Sequence, residues 1–64
     1  MSLSYNDLTL LRYIQKRQTI PLSKTALHFH KNESSIRRTI DQINLYSNAP
    51  MIRIEKSICY SCIS

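Results

Sequence analysis

The stretch NESSIRRTIDQI, residues 32–43, decides the fold of this chain. Placed at 100° per residue, Ile36, Ile40 and Ile43 fall within about 60° of one another on a helical wheel. Asn32 is a favoured residue at the start of a helix, and Glu33 follows it in the first turn, where the helix dipole favours a negative charge. We therefore predict a helix over residues 33–44 with an isoleucine stripe toward the core.

The opposite face of that helix is polar. On the wheel, Ser34, Arg38 and Asp41 lie opposite the isoleucine stripe, whereas Arg37 and Ser35 flank it on either side. Arg38 is therefore predicted to project most directly away from the core. The alternative is that both arginines are ordinary surface residues and that Arg37 pairs with Asp41, four residues later on the helix.

Two further helices are predicted before this one. Ser4 and Asp7 form a weak capping box for a first helix over residues 5–18, and Ser23 is predicted to cap a second over residues 23–30. The apolar positions of the two are Leu8, Leu10, Leu11 and Ile14, then Ala26, Leu27 and Phe29. Because the turn after the second helix has no glycine, His30 or Lys31 is expected to adopt a less favourable backbone conformation.

The C-terminal part alternates in the manner of a β-hairpin over residues 51–63. Ile52 and Ile54 fall on one face and Arg53 and Glu55 on the other, with a turn expected around residues 55–57. The whole chain, residues 1–64, is thus predicted to be one mainly α domain of three helices and a small hairpin.

Composition limits the partners of a domain this small. Nine Lys and Arg residues against four Asp and Glu give a net charge of +5 and a pI near 9.6. Such a domain is expected to associate with polyanions, of which nucleic acid is the most abundant in a cell. The chain has no apolar run of about 20 residues and no signal-peptide pattern at its start, so we predict a cytoplasmic protein without a membrane partner.

The short turn between the second and third helices favours a particular arrangement. Two helices joined in this way cross steeply, and the outer face of the second stays free to enter the major groove of double-stranded DNA. We predict base contacts by Ser34, Ser35 and Arg38. The planar fork of arginine matches the O6 and N7 acceptors of guanine, and a serine hydroxyl meets either donors or acceptors.

The stretch TALHFHKNESSIRRTIDQIN resembles the helix-turn-helix of bacterial winged-helix regulators of the DeoR, BglG and Mga kinds. The matching positions are Ala26 where the helices cross, the core aromatic Phe29, the cap Asn32, and Ile36, Arg37, Arg38, Ile40 and Ile43. The later stretch IRIEKSICYSC is similar to the wing hairpin of these families. The resemblance implies a winged helix-turn-helix that binds double-stranded DNA and regulates transcription.

That resemblance also implies contacts with the DNA backbone. In the wing, Arg53 and Lys56 would touch phosphate or the minor groove, and Lys24 and Lys31, around the second helix, are further candidates for backbone contact. Independently of the resemblance, the position of Arg37 on the flank of the third helix predicts a phosphate contact. One such module presents a small interface, so tight binding is expected to need a homodimer or further domains. The chain is expected to be either the N-terminal piece of a larger regulator or a free-standing phage or plasmid protein.

A second hypothesis is that the same fold contacts proteins instead of DNA. Winged helices are used in this way, and such a module would act on the transcription machinery or on another regulator. Asp41 separates the two hypotheses, because a carboxylate on the outer line of the third helix is unfavourable beside phosphates and acceptable in a protein interface.

Metal binding and catalysis are not favoured by the sequence. His28 and His30, two apart on a helix, point about 200° apart, and Cys59 and Cys62, three apart on a strand, face opposite sides, so the four do not converge on zinc. Both cysteines are predicted to be buried or half-buried packing residues. With four scattered carboxylates and no glycine-rich loop, we expect no enzyme, no catalytic residue and no cofactor.

Overall fold

The computed structural model describes residues 3–62 and has three helices and three strands. Their order along the chain is α1 (Tyr5–Arg17), β1 (Thr19–Pro21), α2 (Leu22–His28), α3 (Glu33–Ser47), β2 (Ile52–Glu55) and β3 (Ile58–Ser61). The strands form one antiparallel sheet in the order β1-β3-β2. The predicted fold class, three helices with a wing hairpin, is confirmed. The predicted wing included residue 63, which lies outside the described residues.

Helices α1 and α3 begin with the caps that the sequence predicts. The Ser4 hydroxyl accepts a hydrogen bond from the Asp7 amide at 3.2 Å, and the Asp7 carboxylate accepts one from the Ser4 amide at 3.4 Å. Asn32 Oδ1 accepts a hydrogen bond from the Ser35 amide at 2.7 Å. Helix α1 ends at Arg17, within one residue of its predicted end, whereas α3 continues three residues beyond its predicted end, to Ser47.

Helix α2 starts one residue before its predicted start and ends two residues before its predicted end. Ser23 is not its cap, since Pro21 stands at that position and makes no side-chain capping bond. Instead the Leu22 amide donates to the Ser57 carbonyl of the wing turn at 2.8 Å. After the helix, His30 has a positive φ of 56°, which confirms the expected unfavourable conformation in this glycine-free turn.

The predicted isoleucine stripe of α3 is the centre of the core. Its buried neighbours come from all other elements: Leu10, Leu11, Ile14, Ile20, Leu22, Ala26, Ile52 and Cys59. Two of the apolar helix positions lie at the surface, since Leu8 is 43% exposed and Leu27 is 75% exposed. In α2 the earlier start moves the buried stripe to Leu22, Thr25 and Ala26, which are spaced as one helix face.

An aromatic cluster joins α1 to the end of α2. The Tyr13 ring stacks on the His28 ring with 4.2 Å between centroids, and Phe29 meets Tyr13 edge-on at 5.2 Å. The Arg17 guanidinium covers Tyr13 at 3.8 Å from the ring centroid. Aromatic pairs in such geometries stabilise beyond their buried area, so this cluster helps to fix α2 against α1.

Strand β1 is an element that the sequence did not predict. Residues 19–21 end α1 by their poor helix propensity, and here they also pair with β3, with Ile20 opposite Cys59. Ile20 is buried in the core, whereas Pro21 lies on an edge strand, where a missing amide hydrogen is tolerated. The strand connects the wing to the helical part of the domain.

Candidate nucleic-acid interface

The outer face of α3 presents most of the predicted base-contacting residues to solvent. Ser34, Arg37 and Arg38 are exposed, as is Asp41 one turn further along. Ser35 is half-buried, its amide is bound by the Asn32 cap, and its carbonyl accepts a hydrogen bond from the Thr39 hydroxyl at 3.0 Å. Of the two serines, Ser34 is therefore the more accessible to a groove.

The arginines of α3 have no carboxylate partner in the part of the chain that the structure describes. Among residues 3–62, the only ion pair closer than 4 Å joins Arg53 to Glu55. The alternative in which Arg37 pairs with Asp41 is therefore not formed. Both guanidinium groups remain available to an external anion, and a bidentate phosphate or a guanine edge is the kind of acceptor that they match.

The wing turn lies against the start of α2. Glu55 pairs with Ile58 across the hairpin, which leaves Lys56 and Ser57 as a two-residue turn with φ values of 50° and 61°. Positive φ at both positions is typical of the hairpin turn whose twist matches the strands, although glycine or asparagine is usual there. Because the Ser57 carbonyl accepts the Leu22 amide, the turn holds Lys56 beside the α2 segment that carries Lys24.

Arg53 is engaged within the wing. On the outer face of the sheet its guanidinium carbon lies 5.0 Å from the ring centroid of Tyr60, the residue opposite on β3. Its Nε lies 3.2 Å from a carboxylate oxygen of Glu55, and both side chains are 60% exposed. Exposed pairs of this kind contribute little, so Glu55 competes only weakly with a phosphate for Arg53.

Asn44 links α3 to the wing, a role that the sequence analysis did not predict. Its Oδ1 accepts hydrogen bonds from the Met51 amide at 2.7 Å and the Ile52 amide at 3.1 Å, and its Nδ2 donates to the Ile52 carbonyl at 2.9 Å. The side chain thereby occupies the free edge of β2 as a short strand would. It joins the candidate recognition helix and the wing into one unit.

Lys31 lies in the turn that leads into α3 and is exposed. It borders a cleft of about 220 Å³ between α1 and α3 whose apolar lining includes Leu10, Phe29 and Ile36. Its ammonium group has no carboxylate partner among the described residues. The predicted phosphate contact by Lys31 is therefore sterically open.

The two cysteines differ. Cys59 is buried, as predicted, but Cys62 is exposed, so the expectation that it packs is wrong. Burial raises the pKa of the Cys59 thiol, while a hydrogen bond with Thr25 and the charge of Arg37 act in the opposite direction.

Residues 3–62 contain no group of three or more His, Cys, Asp or Glu side chains placed to hold a metal ion. Within the same residues, every helix is too short or too polar to span a membrane.

Comparison with known protein families, curated proteins and solved structures gives no match to this chain. A functional proposal therefore depends on the geometry and charge of the described residues.

Proposed function

We propose that this chain is a winged helix-turn-helix protein that binds double-stranded DNA and acts in transcriptional regulation. In this proposal, α3 enters the major groove and the wing lies on the sugar-phosphate backbone. The observation that supports it most is the pair of exposed arginines without carboxylate partners, Arg37 and Arg38, on a helix whose other face is fixed in the core. A rigid helix with a free cationic face is what groove recognition requires.

The roles of the side chains follow from their positions on α3. Arg38 lies opposite the isoleucine stripe with Ser34 one turn ahead of it, so these two reach base edges. Arg37 lies on the flank of the isoleucine stripe and contacts phosphate, together with Lys31 and the wing residues Arg53 and Lys56. Base contacts select the sequence, whereas phosphate contacts set register and supply sequence-independent affinity.

A second candidate function is supported by the C-terminal half of α3. The line that begins with Ser34 and Arg38 continues through Asp41 to Leu45, which is 75% exposed. A carboxylate and an apolar side chain are better suited to contact with a protein surface than to contact with DNA phosphates. In that candidate, the domain contacts the transcription machinery or another regulator without touching DNA.

Titration with a generic DNA duplex at several salt concentrations distinguishes DNA binding from the protein-contact function. Four phosphate-contacting cations, Lys31, Arg37, Arg53 and Lys56, predict that log K falls with log salt with a slope of about −3.6. Arg37→Ala should reduce the slope by about 0.9. Arg12→Ala is the matched control, because this arginine is also exposed but lies on α1.

Sequence preference is tested with Arg38→Ala on a duplex selected from a random pool. Loss of one bidentate arginine contact should cost about 1–3 kcal/mol on the selected site and relax the preference at a single base pair. No binding to any duplex at low salt, or an equal loss with Arg12→Ala, would contradict DNA recognition by α3 and favour the protein-contact function.

A further inference from the structure

The cleft between α1 and α3 has an apolar floor and a polar rim. Leu10 and Ile36, each 2% exposed, form the floor together with Phe29, and the volume of the cleft is about 220 Å³. A cavity of about 150 Å³ lined by leucine, isoleucine and phenylalanine holds one benzene molecule. The cleft therefore has room for one apolar group up to the size of a phenyl ring, with the polar groups of the ligand at the rim.

Two opposite charges line this cleft. One is the carboxylate of Asp7 on α1, and the other is the ammonium group of Lys31 in the turn before α3. The two are not paired with each other, because among residues 3–62 the only ion pair closer than 4 Å joins Arg53 to Glu55. The cleft therefore presents one anionic and one cationic group to a ligand.

The carboxylate of Asp7 can accept further hydrogen bonds besides the one that caps α1. Its Oδ2 accepts a hydrogen bond from the Ser4 amide at a long distance of 3.4 Å, and its Oδ1 has no hydrogen-bond partner among residues 3–62. A carboxylate has about four lone-pair sites on its two oxygens. The ammonium group of a ligand can therefore bind Oδ1 while the cap stays in place.

We propose that this cleft binds a free α-amino acid with an apolar side chain. The side chain packs against the floor of the cleft, the carboxylate of the ligand pairs with Lys31, and its ammonium group pairs with Asp7. An aromatic side chain also gains from ring contact with Phe29, so phenylalanine is the probe of choice. A ligand of this size in an open cleft binds weakly, with a dissociation constant of about 0.1–5 mM.

Amide chemical shifts recorded during a titration with L-phenylalanine test the site. Saturable changes should occur at the lining residues of α1 and α3 and at Lys31. Phenylacetate lacks the ammonium group and phenethylamine lacks the carboxylate, so each should bind about fivefold more weakly than phenylalanine. No saturable change up to about 20 mM phenylalanine, or equal binding of all three compounds, would overturn the proposal. Because no DNA is present, the result is independent of the proposed function, with which the site shares Lys31.

Two variants test the two charges separately. Lys31→Gln should weaken the binding of phenylalanine and phenylacetate about fivefold and leave that of phenethylamine unchanged. Asp7→Asn, which keeps an oxygen for the Ser4 amide, should weaken phenylalanine and phenethylamine and leave phenylacetate unchanged. Lys24→Gln is the matched control, because Lys24 is also an exposed lysine but does not line the cleft. Any other pattern, or an equal loss with Lys24→Gln, would overturn the proposal.

Discussion

Replacing Asn44 by alanine should loosen the wing from α3. The side chain makes three hydrogen bonds to the backbone of Met51 and Ile52, where β2 begins. Alanine has a high helix propensity, so α3 itself should not be weakened by the change. The substitution therefore tests the connection between helix and wing and little else.

The expected cost follows from the bonds that are lost. One hydrogen bond contributes about 0.5–1.5 kcal/mol net. Because the site is only partly buried, the backbone groups of Met51 and Ile52 that lose the Asn44 side chain can bond to water instead. We expect the free energy of unfolding to fall by about 2 kcal/mol. For a domain of this length the total is about 3–10 kcal/mol, so the loss is a large fraction.

Urea unfolding followed by far-UV circular dichroism measures this loss, and hydrogen exchange locates it. The Met51 and Ile52 amides should lose protection, whereas those in the middle of α3 should keep theirs relative to global unfolding. Gln42→Ala, an exposed position on the same helix, is the control. A cost below about 0.5 kcal/mol, equal to that of the control, would refute the reasoning, because surface substitutions fall in that range.

Three further predictions concern the wing, the thiols and the turn. Glu55→Gln removes the carboxylate that competes for Arg53, so affinity for a generic duplex at low salt should rise about twofold to fivefold, in keeping with the weak energy of an exposed pair. With a thiol-specific reagent at neutral pH, Cys62 should react at once and Cys59 only on unfolding, because burial raises the pKa of the latter; two fast thiols would contradict this. His30→Gly should raise the free energy of unfolding by about 0.5–1 kcal/mol, since glycine adopts the positive φ without steric cost, and an unchanged urea midpoint would contradict this.

Local signals in the sequence predicted the fold class and the exposed face of α3. Caps such as Ser4 and Asn32 act on amides within three residues, and the isoleucine stripe depends only on helix periodicity. Both are independent of the rest of the chain. For the same reason the exposure of Arg37 and Arg38 could be predicted from the wheel.

Features that depend on distant partners were missed. Strand β1 is three residues long and has one buried side chain, so its sequence shows no strand periodicity. It forms because its backbone pairs with β3. The bonds of Asn44 depend on where the loop after α3 returns. The turns are also hard to recognise from the sequence, because no glycine marks the positions with a positive φ. These positions are occupied by Gln18, His30, Asn48, Lys56 and Ser57.

The engagement of Arg53 could have been found from the sequence with one more step. Its neighbour Glu55 lies two residues away on the same strand face, and a two-residue turn places Tyr60 directly opposite. With the turn at residues 56 and 57, the pairing of β2 with β3 places the side chains of Arg53, Glu55 and Tyr60 together on one face of the sheet. A turn predicted only around residues 55–57 does not define this register, because the turn residues are 56 and 57.

Amide chemical shifts recorded while a short DNA duplex is added test the central claim most directly. If α3 enters the groove and the wing lies on the backbone, the largest changes should occur in residues 31–38 and 53–57. Helix α1 (Tyr5–Arg17) should keep its shifts. Changes centred on α1 or on residues 41–50, or no change at low salt, would contradict the account.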